Sequence, residues 1–484
     1  MARYVPDHSN DSLFVDGSLD SLLPENSVAR SIWSALCDLD FRAFDARYIN
    51  DEEGRPAIDP RRLAGVWILA LARGVTSSVV VEGLCRTDVE FRWMCGDCSV
   101  KKSTLNGFRT NHLTALGDLS TQILAALARS DMLPGKELAV DGTVIRAAAS
   151  CGASCTEKEL VKRIDRLEKV VERSLAEPEV DAEAVERSTK RKERFENALK
   201  EMAGLSHKRR KKRITVTEPE ASMKKLKKHG CGPGHNVQVV ADLSSGAIVS
   251  VDVVDAGNDE DQLSKQVDNA AAELTRVREH MPQSVSSPEQ IKSITADSGY
   301  HNTRHLVGLE GRIETYVADD RVKNRRPTGV SDAYLAERFE YDEVSDTMVC
   351  PQGKRLRRRK YNKDNTAVTY EAPGAICRVC THKFECCPKA TKTGRNVNRP
   401  LYQHVTEAVA RRVKSPKGKI YAKARHTTIE GTLARLIELL NWRRCRTWGR
   451  AGARAEAVWR QVTHNLMLLT GQWQPIVYKQ VLER

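Results

Sequence analysis

Nothing early in this 484-residue sequence suggests a membrane span. The longest apolar stretch there, LAGVWILALA (63–72), falls well short of the roughly 18 residues that a spanning helix requires and reads as a core helix. The opening MARYVPDHSNDSLFV lacks the apolar segment of a secretory signal, so an intracellular protein is expected. Acidic charge is in deficit, with 64 Asp and Glu against 78 Lys and Arg, a formal net charge of +14 and a pI near 9.2. That balance favours a polyanionic partner, the more so because the excess is clustered in HKRRKKR (207–213), KKLKKH (224–229) and KRLRRRK (354–360). Thirteen cysteines is an odd count, and in an intracellular chain they read as free, metal-bound or core thiols rather than disulfides. The length exceeds what one hydrophobic core supports, so two or more structural units are expected.

Residues 1 to about 130 read as helical. Leu116, Leu119, Ile123 and Leu127 recur at steps that put them on one helical face. Gly74 closes one helix, Thr76, Ser77 or Ser78 can cap the next, and Ser103 or Thr104 can cap the one carrying Phe108 and Arg109. A helix-turn-helix DNA binder has this pattern, and so do plain helical bundles. From Thr156 the sequence TEKE forms a capping box, and Leu160, Ile164, Leu167 and Val171 repeat at coiled-coil spacing. A second Lys- and Glu-rich helix follows after a turn at AEPEVD, giving a helical hairpin over 155–215 that serves either as a scaffold or as a DNA contact. Two β-branched runs flanking Ser-Ser-Gly in 235–257 read as a hairpin, followed by helix 259–279, the strand-like run SITADSGY, a short helix and the strand-like run IETYVADD. This order indicates a mixed α/β sheet.

Three acids stand out against that frame. Asp141 in ELAVDGTVI and Asp297 in SITADSGY end short strand-like apolar runs, and Glu430 in ARHTTIEGTLARLI opens a helix. ELAVDGTVI (137–145) reads as a strand, with Leu138 and Val140 on one face and Ala139, Asp141, Thr143 and Ile145 on the other; Asp-Gly is also a favoured hairpin pair, so Asp141 alone is ambiguous. At about 100° per residue, Ile429, Leu433, Leu436, Ile437 and Leu440 form a stripe that leaves Glu430 on its rim and Glu438 opposite, so Glu430 is expected as the inward ligand. Such a trio could hold two Mg²⁺ or Mn²⁺ ions about 3.5–4 Å apart, the arrangement that activates an attacking oxygen and steadies a leaving one.

Between the second and third acids, Cys350 is followed by Cys377, Cys380, Cys386 and Cys387 in CRVCTHKFECC. Cys-x₂-Cys with further thiols nearby is the pattern of a structural zinc site, with Cys350, Cys377, Cys380 and Cys386 as the expected set; the alternative is a reduced loop whose thiols pack as small apolar groups. CGDC (95–98) has no second pair near it and reads as structural.

With these elements in order, the chain resembles a bacterial insertion-sequence transposase of the DDE type, nearest the insertion sequence 1182 group. The matching stretches are GRPAIDPRRL, FRW, STLNGFRTNH, the DGT after a strand, TEPEAS, HNVQVVAD, GNDEDQL, ADSGYHNT, CPQGK with the later cysteines, RHTTIEGTLARL, RRCR and HNLMLL. The resemblance implies an α/β, RNase H-like mixed-sheet catalytic core over 131–154, 216–330 and 420–472, in which Asp141, Asp297 and Glu430 bind the metals. It also implies an N-terminal helical DNA-binding domain over 1–130, with the helical hairpin at 155–215 and a cysteine-cluster insertion at 331–419. Relatives carry a Tyr, Arg, Glu, Lys series around the last acid. Tyr421, Arg425 and Glu430 fit it, while Ile437 holds the lysine position and Arg443, Arg444 and Arg446 stand near to replace it. Thr104, Arg109, Arg425, Arg443 and Arg444 are the expected DNA contacts. The implied activity is binding of the element's terminal inverted repeats, DNA cleavage, and joining of the 3′-OH ends to target double-stranded DNA by a homo-oligomer at the bacterial nucleoid. A domesticated, catalytically silent DNA-binding regulator is the rival reading.

Overall fold

The computed structural model describes residues 6–8, 11, 17–45, 56–176, 181–204, 213–226, 230–281, 288–319, 329–363, 365–388 and 394–476. Most of HKRRKKR, the last three residues of KKLKKH and residues 177–180 of the hairpin turn lie outside them. Two compact units emerge, one of residues 1–259, 265–291 and 423–484, the other of 260–264 and 292–422.

In the first unit the N-terminal helices pack around the C-terminal helix Gly449–Leu469. The helix Pro60–Ala72 opens on Asp59, which accepts the N–H of Arg61, with Pro60 in the first turn, where its missing N–H costs nothing. It stops at Gly74, whose φ of +69° suits a left-handed helix end. Helix Leu113–Arg129 buries Leu116, Leu119, Ile123 and Leu127 as their spacing predicts. The Phe108 and Trp459 rings lie 5.9 Å apart, and Trp459 Nε1 donates to the Arg109 carbonyl at 3.1 Å.

The sheet of this unit is antiparallel. The 13-residue strand Gly230–Asp242 pairs with Glu137–Arg146 on one side, and with Ser222–Leu226 and then Ile248–Val254 on the other. Its turn is set by Asp242, a buried carboxylate accepting the N–H groups of Gly135 (3.0 Å), Ser244 (2.8 Å) and Ser245 (3.2 Å). Burial pushes the Asp242 carboxyl up, against the pull of those donors. The C-terminal helix covers Ile248–Val254 with polar side chains: Asn465 Oδ1 accepts from Ile248 N (2.9 Å) and its Nδ2 donates to Ile248 O (2.9 Å), while Gln461 Nε2 reaches Ile248 O and Val249 O. In a helix this buried, such bonds satisfy backbone groups that otherwise cost stability.

Thr156 and Glu159 form the expected capping box, with Thr156 N to Glu159 Oε2 at 2.9 Å and Glu159 N to Thr156 Oγ1 at 3.4 Å. It starts helix Glu157–Ala176, which packs on Ala182–Gly204 through a small core of Cys155, Leu160, Phe195, Ala198, Met202 and Ile214.

The second unit pairs Ser293–Ala296 in parallel with Glu314–Val317 through the crossover helix Thr303–Leu309. It also holds a five-stranded antiparallel sheet in the order Asn396–Pro400, Ala367–Glu371, Arg355–Tyr361, Thr347–Val349, Glu340–Asp342, packed on Phe339, Met348, Leu356, Val368 and Tyr370. The basic run KRLRRRK lies on this sheet and is partly neutralised: Arg355 pairs with Asp342 (2.6 Å), Arg358 with Asp346 (3.1 Å) and Arg359 with Glu371 (3.2 Å).

Candidate active site

The strand that alternation predicts over 137–145 is present, and it continues through Asp141 and Gly142, so Asp-Gly makes no turn there. Strand Glu137–Arg146 runs through both residues, with Asp141 opposite Val239 and Gly142 opposite Gln238. An unbroken partner strand on that side holds Asp141 in mid-strand, where its Oδ1 accepts the Gly142 N–H at 2.7 Å. The glycine is required by what lies over it. A Cβ there would stand 2.7 Å from Gln238 Nε2 and 2.8 Å from Asp259 Oδ1. That amide also donates to Asp259 Oδ1 (2.7 Å), which accepts from Asn236 Nδ2 (2.9 Å) as well. The cluster's residues fall within HNVQVVAD and GNDEDQL, and the polar Asn236 and Gln238 are unusual for a central strand.

Glu430 does not open its helix but lies near the end of Pro416–Ala434, which passes into a π-helical turn over Arg435–Leu439. The expected buried stripe counted apolar residues only. Tyr421, Ala424, Thr428 and Thr432 are buried as well, which turns the packed face away from Glu430 and leaves its side chain 44% exposed. The helix rests on the Ser244–Gly246 turn: Thr432 Oγ1 donates to Gly246 O (3.4 Å), and the Ile476 side chain fills the space a Cβ at Gly431 would need.

Asp141 and Glu430 meet through Arg425. Its Nη1 stands 3.7 Å from Asp141 Oδ2 and its Nη2 3.8 Å from Glu430 Oε1, while His426 Nδ1 lies 2.8 Å from that same Glu430 oxygen. A single guanidinium serving both carboxylates marks a position where a cation faces two oxygen donors, the donor chemistry that suits a hard divalent ion. Asp297 belongs to the second unit. It ends Ser293–Ala296 as expected and caps the turn Ser298–Tyr300, its Oδ1 accepting the Gly299 N–H at 2.9 Å.

The remaining expected site residues fare differently. Arg109 is not available to DNA. It is buried, with Nη1 donating to Thr76 O (3.1 Å), Nη2 to Asn106 Oδ1 (3.3 Å), and its guanidinium 4.7 Å from the Trp67 ring centroid. Thr104 is exposed within helix Lys102–Asn111 and does not cap it, since the N-cap position is Lys101. Arg443 pairs with Glu438, and Arg444 donates to the carbonyls of Ala147 (3.2 Å) and Ala148, tying the end of the Asp141 strand to the segment after the Glu430 helix.

That segment is held by carboxylates that were not among the expected site residues. Glu218 of TEPEAS, fully buried, accepts from Gly449 N (3.0 Å), Ala149 N (2.9 Å) and His235 Nε2 (2.7 Å). Glu220 accepts the Arg450 N–H, and buried Glu456 takes those of Arg446 (2.6 Å) and Thr447 (2.7 Å).

Among the described residues no group of three or more His, Cys, Asp or Glu side chains is placed to hold a metal ion. Cys350, Cys377 and Cys386 pack instead against the Phe339–Leu356 core, with Cys350 Sγ accepting the Lys354 N–H (3.3 Å) and Cys377 Sγ that of Arg395 (3.4 Å). Cys387 is buried, Cys380 half-buried, and burial pushes the Cys386 thiol up to about 12. Cys95 and Cys98 of CGDC are free thiols too.

Two family models match the chain: a transposase DDE domain over residues 349–470, which includes Glu430, and a transposase domain (DUF772) over residues 17–111. These matches place the chain among the insertion-sequence DDE transposases. No curated protein and no solved structure matches. The DDE match thus covers the Glu430 helix, the segment after it and the whole C-terminal helix, while the N-terminal match covers Val28–Cys37, Pro60–Ala72 and Lys102–Asn111, which pack against that C-terminal helix, and stops short of Leu113–Arg129. Among the described residues of this transposase, no helix is long and apolar enough to cross a membrane.

Proposed function

We propose that this transposase binds the terminal inverted repeats of its element, cleaves DNA by two-metal phosphoryl transfer and joins the 3′-OH ends to target DNA as a homo-oligomer. The observation that carries the reading is the Arg425 guanidinium held between Asp141 and Glu430. Asp141, Asp297 and Glu430 would hold the divalent ions, which when bound activate the attacking oxygen and steady the leaving one. The chain's own part is to fix those carboxylates: the central strand holds Asp141 in register, the Ser298–Tyr300 turn holds Asp297, and the docked helix holds Glu430. Arg425 stands where it can turn from the carboxylates to a DNA phosphate, a planar donor suited to both. Residues 1–130 would supply DNA contacts through exposed groups such as Thr104, with 155–215 and 331–419 as insertions in the core.

The test uses the full chain with Asp141→Asn, Asp297→Asn and Glu430→Gln, each close in shape and lacking a charge. Cleavage and joining should vanish in all three while duplex binding and melting temperature hold. A folded variant that cuts at the wild-type rate removes that residue from the site. Cutting by none of the chains, wild type included, with sequence-specific binding retained, would favour the silent regulator.

A further inference from the structure

One face of the Glu430 helix carries a row of basic side chains, including two lysines that the site does not use. Taking Glu430 as zero at about 100° per residue, Lys423 lies near 20°, Lys419 near 340° and His426 near 320°, so all four share one stripe. Each is exposed, as are Ala422 and Thr427 beside them, and Glu430 is the stripe's only acid. Neighbouring cations on other faces are spent inside the fold. Lys417 is bound to Glu314 (2.9 Å) and Arg412 to Glu310, whereas Lys419 and Lys423 have no acidic partner among the described residues.

We infer that Lys419, Lys423 and His426 form a ridge that seats the phosphates of a DNA strand leading to Glu430. This rests on the proposed function and adds where the strand runs. At about 1.5 Å per residue the stripe from Lys419 to Glu430 spans roughly 16 Å. One strand of a duplex carries a phosphate about every 3.4 Å along the axis, so the ridge faces about four or five of them. The flexible lysine stems let each ammonium follow a phosphate, and the helix is anchored beneath by Tyr421, Ala424, Thr428 and Thr432, so the ridge is presented on a fixed support. His426 already bonds Glu430, which puts the last member of the row against the carboxylate itself.

The experiment measures binding of a fluorescent blunt duplex of arbitrary sequence to the full chain over a range of salt. Lys419→Gln with Lys423→Gln should lower the slope of log affinity against log salt by about 1.8, since each lost phosphate contact contributes about 0.9. Lys419→Arg with Lys423→Arg should restore it, and Lys162→Gln with Lys169→Gln, exposed on the helical hairpin, should leave it unchanged. An unchanged slope in the ridge variant overturns the ridge while leaving the proposed function standing, and so does an equal loss in the hairpin control. A wild-type chain without salt-dependent duplex binding overturns the proposed function itself. Melting temperatures confirm that all variants fold, as expected for exposed side chains.

Discussion

Replacing Arg109 by alanine separates a structural arginine from a DNA-reading one. The guanidinium is buried, bonds Thr76 O and Asn106 Oδ1, and stacks on Trp67. Burial holds its pKa below the usual arginine value, with Glu456 pulling the other way. Losing hydrogen bonds made by a charged donor costs about 1.5–3 kcal/mol, and the desolvated cation–π contact adds about 1–2 kcal/mol. Removing the charge also relieves a desolvation cost, so a net loss of about 3 kcal/mol is expected, with Thr76 O left unpaired. In so large a unit this lowers the melting temperature by about 5 °C. Thermal unfolding of the full chain, followed by circular dichroism beside duplex binding at a temperature where both chains are folded, checks it. An Arg109→Ala chain that melts like wild type and binds duplex more weakly would refute the structural role and restore the residue to the DNA surface.

The other predictions concern pH, thiols and strand packing. Burial lowers His464 to about 3, against the pull of its bond to Gly246 O, so it is neutral when folded and near 6.5 when unfolded. Since the unfolded chain binds the extra proton, stability should fall by about 1.4 kcal/mol per pH unit as pH drops below 6.5, and urea midpoints that slope equally in His464→Gln would disprove it. With Cys386 pushed up to about 12 and no metal-holding group formed, iodoacetamide at pH 8 should label exposed Cys151 long before Cys386, and added zinc should leave the Cys386 rate unchanged; zinc protection would revive the metal site. Gly142→Ala forces its Cβ against Gln238 and Asp259, so a cost of about 1–3 kcal/mol is expected, and full stability with full cleavage would show that the cluster yields freely.

Local rules carried much of this fold. The Thr156–Glu159 capping box, the Leu116–Leu127 face and the Ser-Ser-Gly hairpin are short-range, and the structure has each where residue spacing put it. What failed depends on partners distant in sequence. Arg109 looks like a surface arginine until Trp67 and Thr76 close over it. Asp-Gly at 141–142 can turn as well as extend, and the partner strand Gly230–Asp242 continuing past it decides for the strand that alternation predicts. Thr428 and Thr432 count as polar in a helical projection, yet both are fully buried and reorient the face that Glu430 presents. Asp297 stands at the end of its strand, where the apolar run put it; Glu218, Glu220 and Glu456 carry no such local pattern, because their work is to receive backbone N–H groups that come together only after folding.

That last group explains how Asp141 and Glu430, so far apart in sequence, are held near one another. The segment after the Glu430 helix must return to the Asp141 strand before the C-terminal helix begins, and it does so through Arg146 N to Arg443 O (3.3 Å) and Cys445 N to Arg146 O (2.8 Å). Arg444 then clasps the carbonyls that follow the strand. A short crossing of this kind leaves a run of N–H groups with no strand or helix to receive them. Three glutamates receive those of residues 446, 447, 449 and 450, two of them nearly or wholly buried. Buried carboxylates are costly unless such donors surround them, and here the donors belong to the very turn that needs holding. The Asp141 strand and the Glu430 helix are thereby joined at the far end from Arg425, so the two carboxylates are spaced by backbone geometry at one end and by a shared cation at the other.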